Sequence, residues 1–79
     1  MRVLFFAQLK DAAGCDSTEL VLAVSLDAEQ FWAELLKRFP ALAAHRPVTR
    51  LACNGQYACA ETRFGDADEV ALIPPVSGG

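Results

Sequence analysis

No apolar stretch among the 79 residues approaches the roughly 20 that a bilayer-spanning helix needs. Residues 1–8 are too short and too interrupted by polar side chains for a secretory signal, so a cytoplasmic protein with no membrane partner is expected. Positive charge is scarce as well. Seven Lys and Arg stand against ten Asp and Glu, a net charge of −3, with no basic stripe of the kind that neutralises phosphate backbones. Nucleic acid is therefore not an expected partner. Cysteine is sparse, odd in number and without C-x-x-C spacing, which argues against a disulfide framework or a zinc site. Cys15, Cys53 and Cys59 read instead as reduced, mostly buried small apolar residues. The single histidine, His45, lies between Pro40 and Pro47 with no Cys or carboxylate at ligand spacing, so no metal is expected. Neither a G-x-x-x-x-G-K-[ST] loop nor a G-x-G-x-x-G turn is present, and any nucleotide chemistry must belong to another protein.

Apolar side chains make up 53% of the chain, enough for one small core spanning residues 1–79 and no second domain. Domains near this size bury only about 60% of their unfolded surface, which leaves no room for a large internal active-site cavity. A short-period, aromatic-rich stretch predicts a first strand over residues 2–8, followed by a loop over 11–17 and a second strand over 18–24. The period then changes. Ala28, Phe31, Trp32, Leu35 and Phe39 recur as one helical stripe, with Trp32 a core residue. Asp27 and Gln30 have capping-box spacing at its start, and Lys37, Arg38 and Pro40 mark its end. One more helical turn is expected over residues 41–46. Asn54-Gly55 is the dipeptide best suited to a two-residue hairpin turn, here between strands over 48–53 and 56–60. A turn at residues 65–68 precedes a last strand over 69–73, giving the order β-β-α-β-β-β of an α+β domain.

One helix covers one face of a small sheet, yet the first and last strands are apolar on both. Val3 and Phe5 point opposite to Leu4 and Phe6, and Val70 and Leu72 opposite to Ala71 and Ile73. These two strands are expected to be central and adjacent. Their second face is either covered by the loops at 9–17 and 61–65 or presented to another protein, the reading we favour. The acidic residues Asp66, Asp68 and Glu69 are candidates for docking a basic groove, although a charged turn is more often simply solvated.

Residues 74–79, Pro74-Pro75-Val76-Ser77-Gly78-Gly79, read as an extended tail. Two prolines stiffen the exit, and at about 3.1 Å per residue six residues reach on the order of 18 Å. The Gly78-Gly79 tip carries no side chains and suits a narrow channel in a neighbouring protein. A carboxylate at such a tip is a poor electrophile until activated, and adenylation by ATP in a partner enzyme is the usual solution.

The opening Val3-Leu4-Phe5-Phe6-Ala7-Gln8, the Cys53-Asn54-Gly55 turn and the stretch from Asp68 to Gly79 resemble the small, sulfur-carrying subunits of molybdopterin synthase over essentially the full chain. The resemblance implies a ubiquitin-like β-grasp fold: a mixed sheet of about five strands wrapped on one main helix, its first and last strands parallel at the centre. It also implies that Gly79 is adenylated by an activating enzyme at the expense of ATP and converted to a thiocarboxylate by a sulfur donor protein. The tail would then enter the large subunit of a heterotetrameric synthase and deliver sulfur to the cyclic pyranopterin monophosphate precursor. No cofactor is held permanently, and the small subunit is catalytic only within the complex. Gly79 is then the reacting site and Gly78 its slender approach. Phe6, Tyr57 and Ile73 match positions that present apolar side chains to the partners, and Pro74, Pro75, Val76 and Ser77 are expected to be partner-binding as well. Cys53, where an aliphatic residue is usual, and Ala67, where glycine is common, depart from the family pattern without touching the tail. Two other functions share the activation chemistry: sulfur carriage for another pathway, as in the thiamine-type carriers, and ubiquitin-like attachment of Gly79 to a target lysine.

Overall fold

Strands β1 (Arg2–Phe5) and β5 (Glu69–Ile73) run parallel and side by side at the middle of the sheet, with Val3 paired to Val70 and Phe5 to Leu72. The structure is a computed structural model that describes residues 1–75. β2 (Ser17–Glu19) adds antiparallel to β1, β3 (Arg50–Cys53) antiparallel to β5, and β4 (Gln56–Tyr57) antiparallel to β3. The order β2-β1-β5-β3-β4 is the mixed five-stranded sheet of a ubiquitin-like β-grasp fold. The central, adjacent placement of the two doubly apolar strands is as expected from their alternation, and their parallel sense is as the resemblance implies.

Side-chain alternation sends Val3, Phe5, Leu51, Val70 and Leu72 to one face, where they join Phe31, Trp32 and Leu35 of helix α2 (Ala28–Arg38) in the core. Burying each such side chain contributes about 1.5–3 kcal/mol. The predicted cap is present: Asp27 Oδ1 accepts from the Gln30 amide at 2.8 Å, and Gln30 Oε1 accepts from the Asp27 amide at 3.0 Å. At the far end Arg38 donates to the Glu19 carbonyl at 3.0 Å and ties the helix to β2. The turn expected over residues 41–46 belongs to a longer 3₁₀ segment, Pro40–Val48, which buries Leu42. Arg46 there pairs with Glu29 at 2.7 Å and lies 5.7 Å from the centre of the Trp32 ring. Asn54 and Gly55 have φ of 51° and 86°, the two positive values of a type I′ turn, so the hairpin forms where the dipeptide places it.

Four expectations need correction. β1 stops at Phe5 rather than at residue 8, because Ala7 adopts φ 52° and the chain turns into helix α1 (Gln8–Ala13), where a loop was expected from residue 11. Leu9, Ala12 and Ala13 carry the helical spacing, and Gly14, at φ 79°, closes the helix by donating to the Lys10 carbonyl. β2 ends at Glu19 instead of residue 24: Leu20 still exchanges hydrogen bonds with Met1, but beyond it the Leu22 amide donates to Asp66 rather than to a neighbouring strand. Val21 and Val24 are left exposed. β3 and β4 are shorter than expected at their outer ends, residues 48–49 and 58–60. All three cysteines are free, but Cys59 is exposed rather than buried. Helix α1 and Phe64 also settle what the intervening segments cover: Leu9 and Phe64 both enter the core on the α2 side, so the second face of the sheet stays open.

The acidic turn is built into the fold. Asp68 accepts from the Gly65 amide at 2.7 Å and from Asn54 Nδ2 at 2.9 Å, while Asn54 Oδ1 accepts from the Glu69 amide at 3.0 Å. The hairpin turn is thereby fastened to the start of β5. Asp66 accepts from the Leu22 amide at 2.9 Å and lies 3.4 Å from the Met1 amino group. These bonds favour the ionised carboxylates: the Leu22 amide holds Asp66, and the Gly65 amide with Asn54 holds Asp68, below the ordinary carboxylate range. Both groups therefore take up protons at higher pH in the unfolded chain than in the folded one. Their contribution is complete above the ordinary carboxylate pKa and is lost as the pH falls through the lowered folded values. Asp68→Asn is expected to reduce stability at neutral pH and to flatten its decline in acid, as read from urea midpoints across the acid range.

Candidate functional site

The open face of the sheet is assembled by the same alternation that builds the core. Leu4, Ala71 and Ala52 follow one another across β1, β5 and β3, and Tyr57 on β4 completes the row. Ile73 stands opposite Arg50 one step further along, and Phe6 follows directly after β1. Together Phe6, Ala52, Tyr57, Glu69, Ala71 and Ile73 line a groove of about 320 Å³, with small alanines between large neighbours. Phe6 is 45% and Tyr57 58% exposed, too much contiguous apolar surface for a face meant to stay wet. The three side chains singled out in the sequence, Phe6, Tyr57 and Ile73, are brought together in this one groove.

Ile73 runs straight into Pro74 and Pro75, half-buried and exposed, so the tail leaves the sheet beside Phe6 and Arg50. Val76, Ser77, Gly78 and Gly79 lie outside the described residues. A second groove of about 440 Å³ on the other side of β1 is lined by Leu4, Phe6, Ala7 and Ser17 together with the charged Arg2, Lys10 and Asp16. Of the acidic candidates, only Glu69 reaches the apolar groove; Asp66 and Asp68 are occupied in holding the turn.

The remaining candidates have structural explanations. Burial, with Asp68 nearby, pushes the Cys53 thiol pKa up, which keeps it protonated and unreactive. Cys15 is packed against the core. His45 offers its backbone carbonyl to Thr49 Oγ1 at 2.6 Å. Trp32 is buried, as its place on the helix stripe implies. No helix among the described residues is long and apolar enough to cross a membrane.

Arg50 and Ala52 were missed by the sequence reading as parts of the face. Their signal was present in the period-two pattern of Arg50-Leu51-Ala52-Cys53, where Leu51 and Cys53 face the core.

Residues 3–79 match the ThiS family. The molybdopterin synthase sulfur carrier subunit of Chlamydomonas reinhardtii is 32% identical over 81 residues, an alignment covering 100% of this chain and 98% of that protein. Among solved structures, SAMP1 from Haloferax volcanii superposes with a TM-score of 0.82 at 27% identity, covering 100% of this chain and 98% of that one. The complex of subunits 1 and 2 of the molybdopterin-converting factor from Helicobacter pylori contains a chain matched with a TM-score of 0.70 at 25% identity, covering 99% of this chain and 96% of that one.

Proposed function

This chain belongs to the ThiS family, and from that membership we propose that it is the sulfur-carrying small subunit of a molybdopterin synthase. The observation that carries the proposal is where β5 ends. β5 forms the middle of an open apolar groove and continues directly into Pro74 and Pro75, so a protein covering Phe6, Tyr57 and Ile73 also receives the chain that leads to Gly78-Gly79. The curated relative and the two-subunit Helicobacter pylori complex support the reading.

In this proposal an activating enzyme binds the groove first and joins the Gly79 carboxylate to the α-phosphate of ATP, releasing pyrophosphate. Sulfur at the sulfide level, supplied by a donor protein, then attacks the acyl carbon and expels AMP, leaving a thiocarboxylate. The same face next docks on the large subunit, and Pro74 to Gly79 enters its active site. The thiocarboxylate sulfur attacks a carbon of the cyclic pyranopterin monophosphate, forming a C–S bond as a C–O bond at that carbon breaks and the oxygen departs with the bonding pair and takes up a proton. Water then cleaves the acyl–sulfur bond, returning the Gly79 carboxylate and leaving sulfur on the pterin. Two such cycles supply the dithiolene, and a heterotetramer with a small subunit at each end accommodates them. This chain contributes a tethered nucleophile: tethering makes the attack effectively unimolecular, while pterin binding and acid–base groups fall to the large subunit. ATP is consumed on the activating enzyme, in keeping with the lack of a phosphate loop in this sequence.

Protein modification is a second reading, favoured by the likeness to SAMP1, which is described as a small archaeal modifier protein. It uses the same adenylate but ends in an isopeptide bond to a lysine. Sulfur carriage in a thiamine-type pathway is the third, and differs only in the acceptor.

Incubation with the activating enzyme, ATP and a sulfur source, followed by intact and C-terminal peptide mass measurement, is expected to show one oxygen replaced by sulfur at Gly79. Heavier covalent adducts on other proteins would favour the modifier reading, and an unchanged terminus with enzymes proven active on another carrier would contradict activation altogether. Ile73→Asp and Phe6→Asp place a charge in the groove without entering the core. Both are expected to abolish co-elution with the large subunit on a sizing column while leaving the unfolding midpoint nearly unchanged.

A further inference from the structure

The open face is apolar through its centre but not at its ends. At one end the register sets Arg2 between Glu19 and Glu69, one positive charge between two negative ones. At the other, where β5 gives way to Pro74, the only charged residue that the strand pairing brings onto the face, among the described residues, is Arg50, opposite Ile73. Its guanidinium carbon lies 4.1 Å from the centre of the Tyr57 ring, and that ring is itself 58% exposed. Among the described residues no carboxylate lies within ion-pair distance of Arg50.

The Tyr57 contact determines what Arg50 is able to do. The guanidinium lies over the Tyr57 ring, a cation–π contact that restrains the side chain and limits the rotamer entropy lost when a partner binds. A guanidinium offers its N–H groups in a planar fork that matches a carboxylate through two parallel hydrogen bonds. A lysine would reproduce the charge without the plane. The chain as a whole is negative, at −3, so a positive group held at the tail exit is a local departure from the overall charge.

We propose that Arg50, held by Tyr57, is a specificity-determining contact for the protein that covers the groove, and that it receives an Asp or Glu side chain from the rim of that partner's tail-receiving channel. The inference rests on the docking of the groove proposed above and deepens it. An apolar groove alone tolerates sliding and reversal. A positive point at the tail end, opposite a net negative charge at the Glu19–Glu69 end, selects the one orientation that sends the tail toward the partner's active site.

The test is calorimetric titration of the large subunit with the parent chain, Arg50→Leu, Arg50→Lys and Ile73→Asp at low and high salt, with circular dichroism to verify folding. Arg50 is exposed, so its variants are expected to fold normally. Arg50→Leu is expected to bind about tenfold more weakly at low salt and to lose part of the salt dependence of the parent. Arg50→Lys is expected to recover the salt dependence but less than half of the lost affinity, because the planar fork is missing. Ile73→Asp reports on the groove itself. If Ile73→Asp abolishes binding while Arg50→Leu matches the parent in affinity and salt dependence, the groove reading stands and the Arg50 contact is overturned. Full recovery of affinity by Arg50→Lys would overturn the planar-fork element in favour of simple charge. Failure of the parent chain to bind at all would overturn both.

Discussion

Everything in this structure follows from placing two strands that are apolar on both faces, β1 and β5, next to each other in a sheet that has helix on one side only. Parallel central strands are normally covered on both faces. Here Val3, Phe5, Val70 and Leu72 find α2, and Leu4, Ala71 and Ile73 find no covering element among the described residues. The short segments that had the opportunity to close the second face are drawn elsewhere by their own apolar residues, Leu9 into the core beside the 3₁₀ segment and Phe64 against Phe31. The fold is thus complete as a folding unit and incomplete as a surface.

The β3–β4 hairpin extends that surface rather than the core. Its turn is held by Asn54 and Gly55 in positive-φ conformations, and the Asn54 side chain is shared between Asp68 and the Glu69 amide. Tyr57 is carried out beside Ala52 as a consequence, and the ring becomes both a wall of the groove and a support for Arg50. The groove, the charge at its end and the exit of the tail are therefore positioned by one set of backbone registers.

Local chemistry was the legible part of the sequence. The Asp27–Gln30 capping box, the Asn54-Gly55 turn and the alternation of β1 and β5 each involve residues a few positions apart, and each formed where the sequence puts it. Phe6 and Ile73 were readable as groove residues for the same reason, whereas Tyr57 was identified through family resemblance. Apolar content misled over residues 20–24: Leu20 still pairs with Met1, but the Leu22 amide is taken by Asp66, and Val21 and Val24 stay exposed. The short helix α1 was concealed by its alanines and by the turn residues after it, although Leu9, Ala12 and Ala13 have helical spacing. The turn at residues 65–68 was legible, but the hydrogen bonds that hold it were not, because Leu22 lies 44 positions from Asp66; Arg50 could be placed on the open face from the alternation of β3, whereas its pairing with Ile73 depends on the whole sheet.

In the proposed function the groove brings partner after partner to the same tail, and the sulfur moves because Gly79 moves with the face that precedes it. The most direct test is a single-turnover transfer from a chain bearing isotopically labelled sulfur in its Gly79 thiocarboxylate, mixed with the large subunit and the cyclic pyranopterin monophosphate, with both products weighed. The account predicts that the label appears in the pterin dithiolene, two chains being returned to the carboxylate form for each dithiolene made. Label retained on the chain, or released as free sulfide with the pterin unchanged, would contradict it.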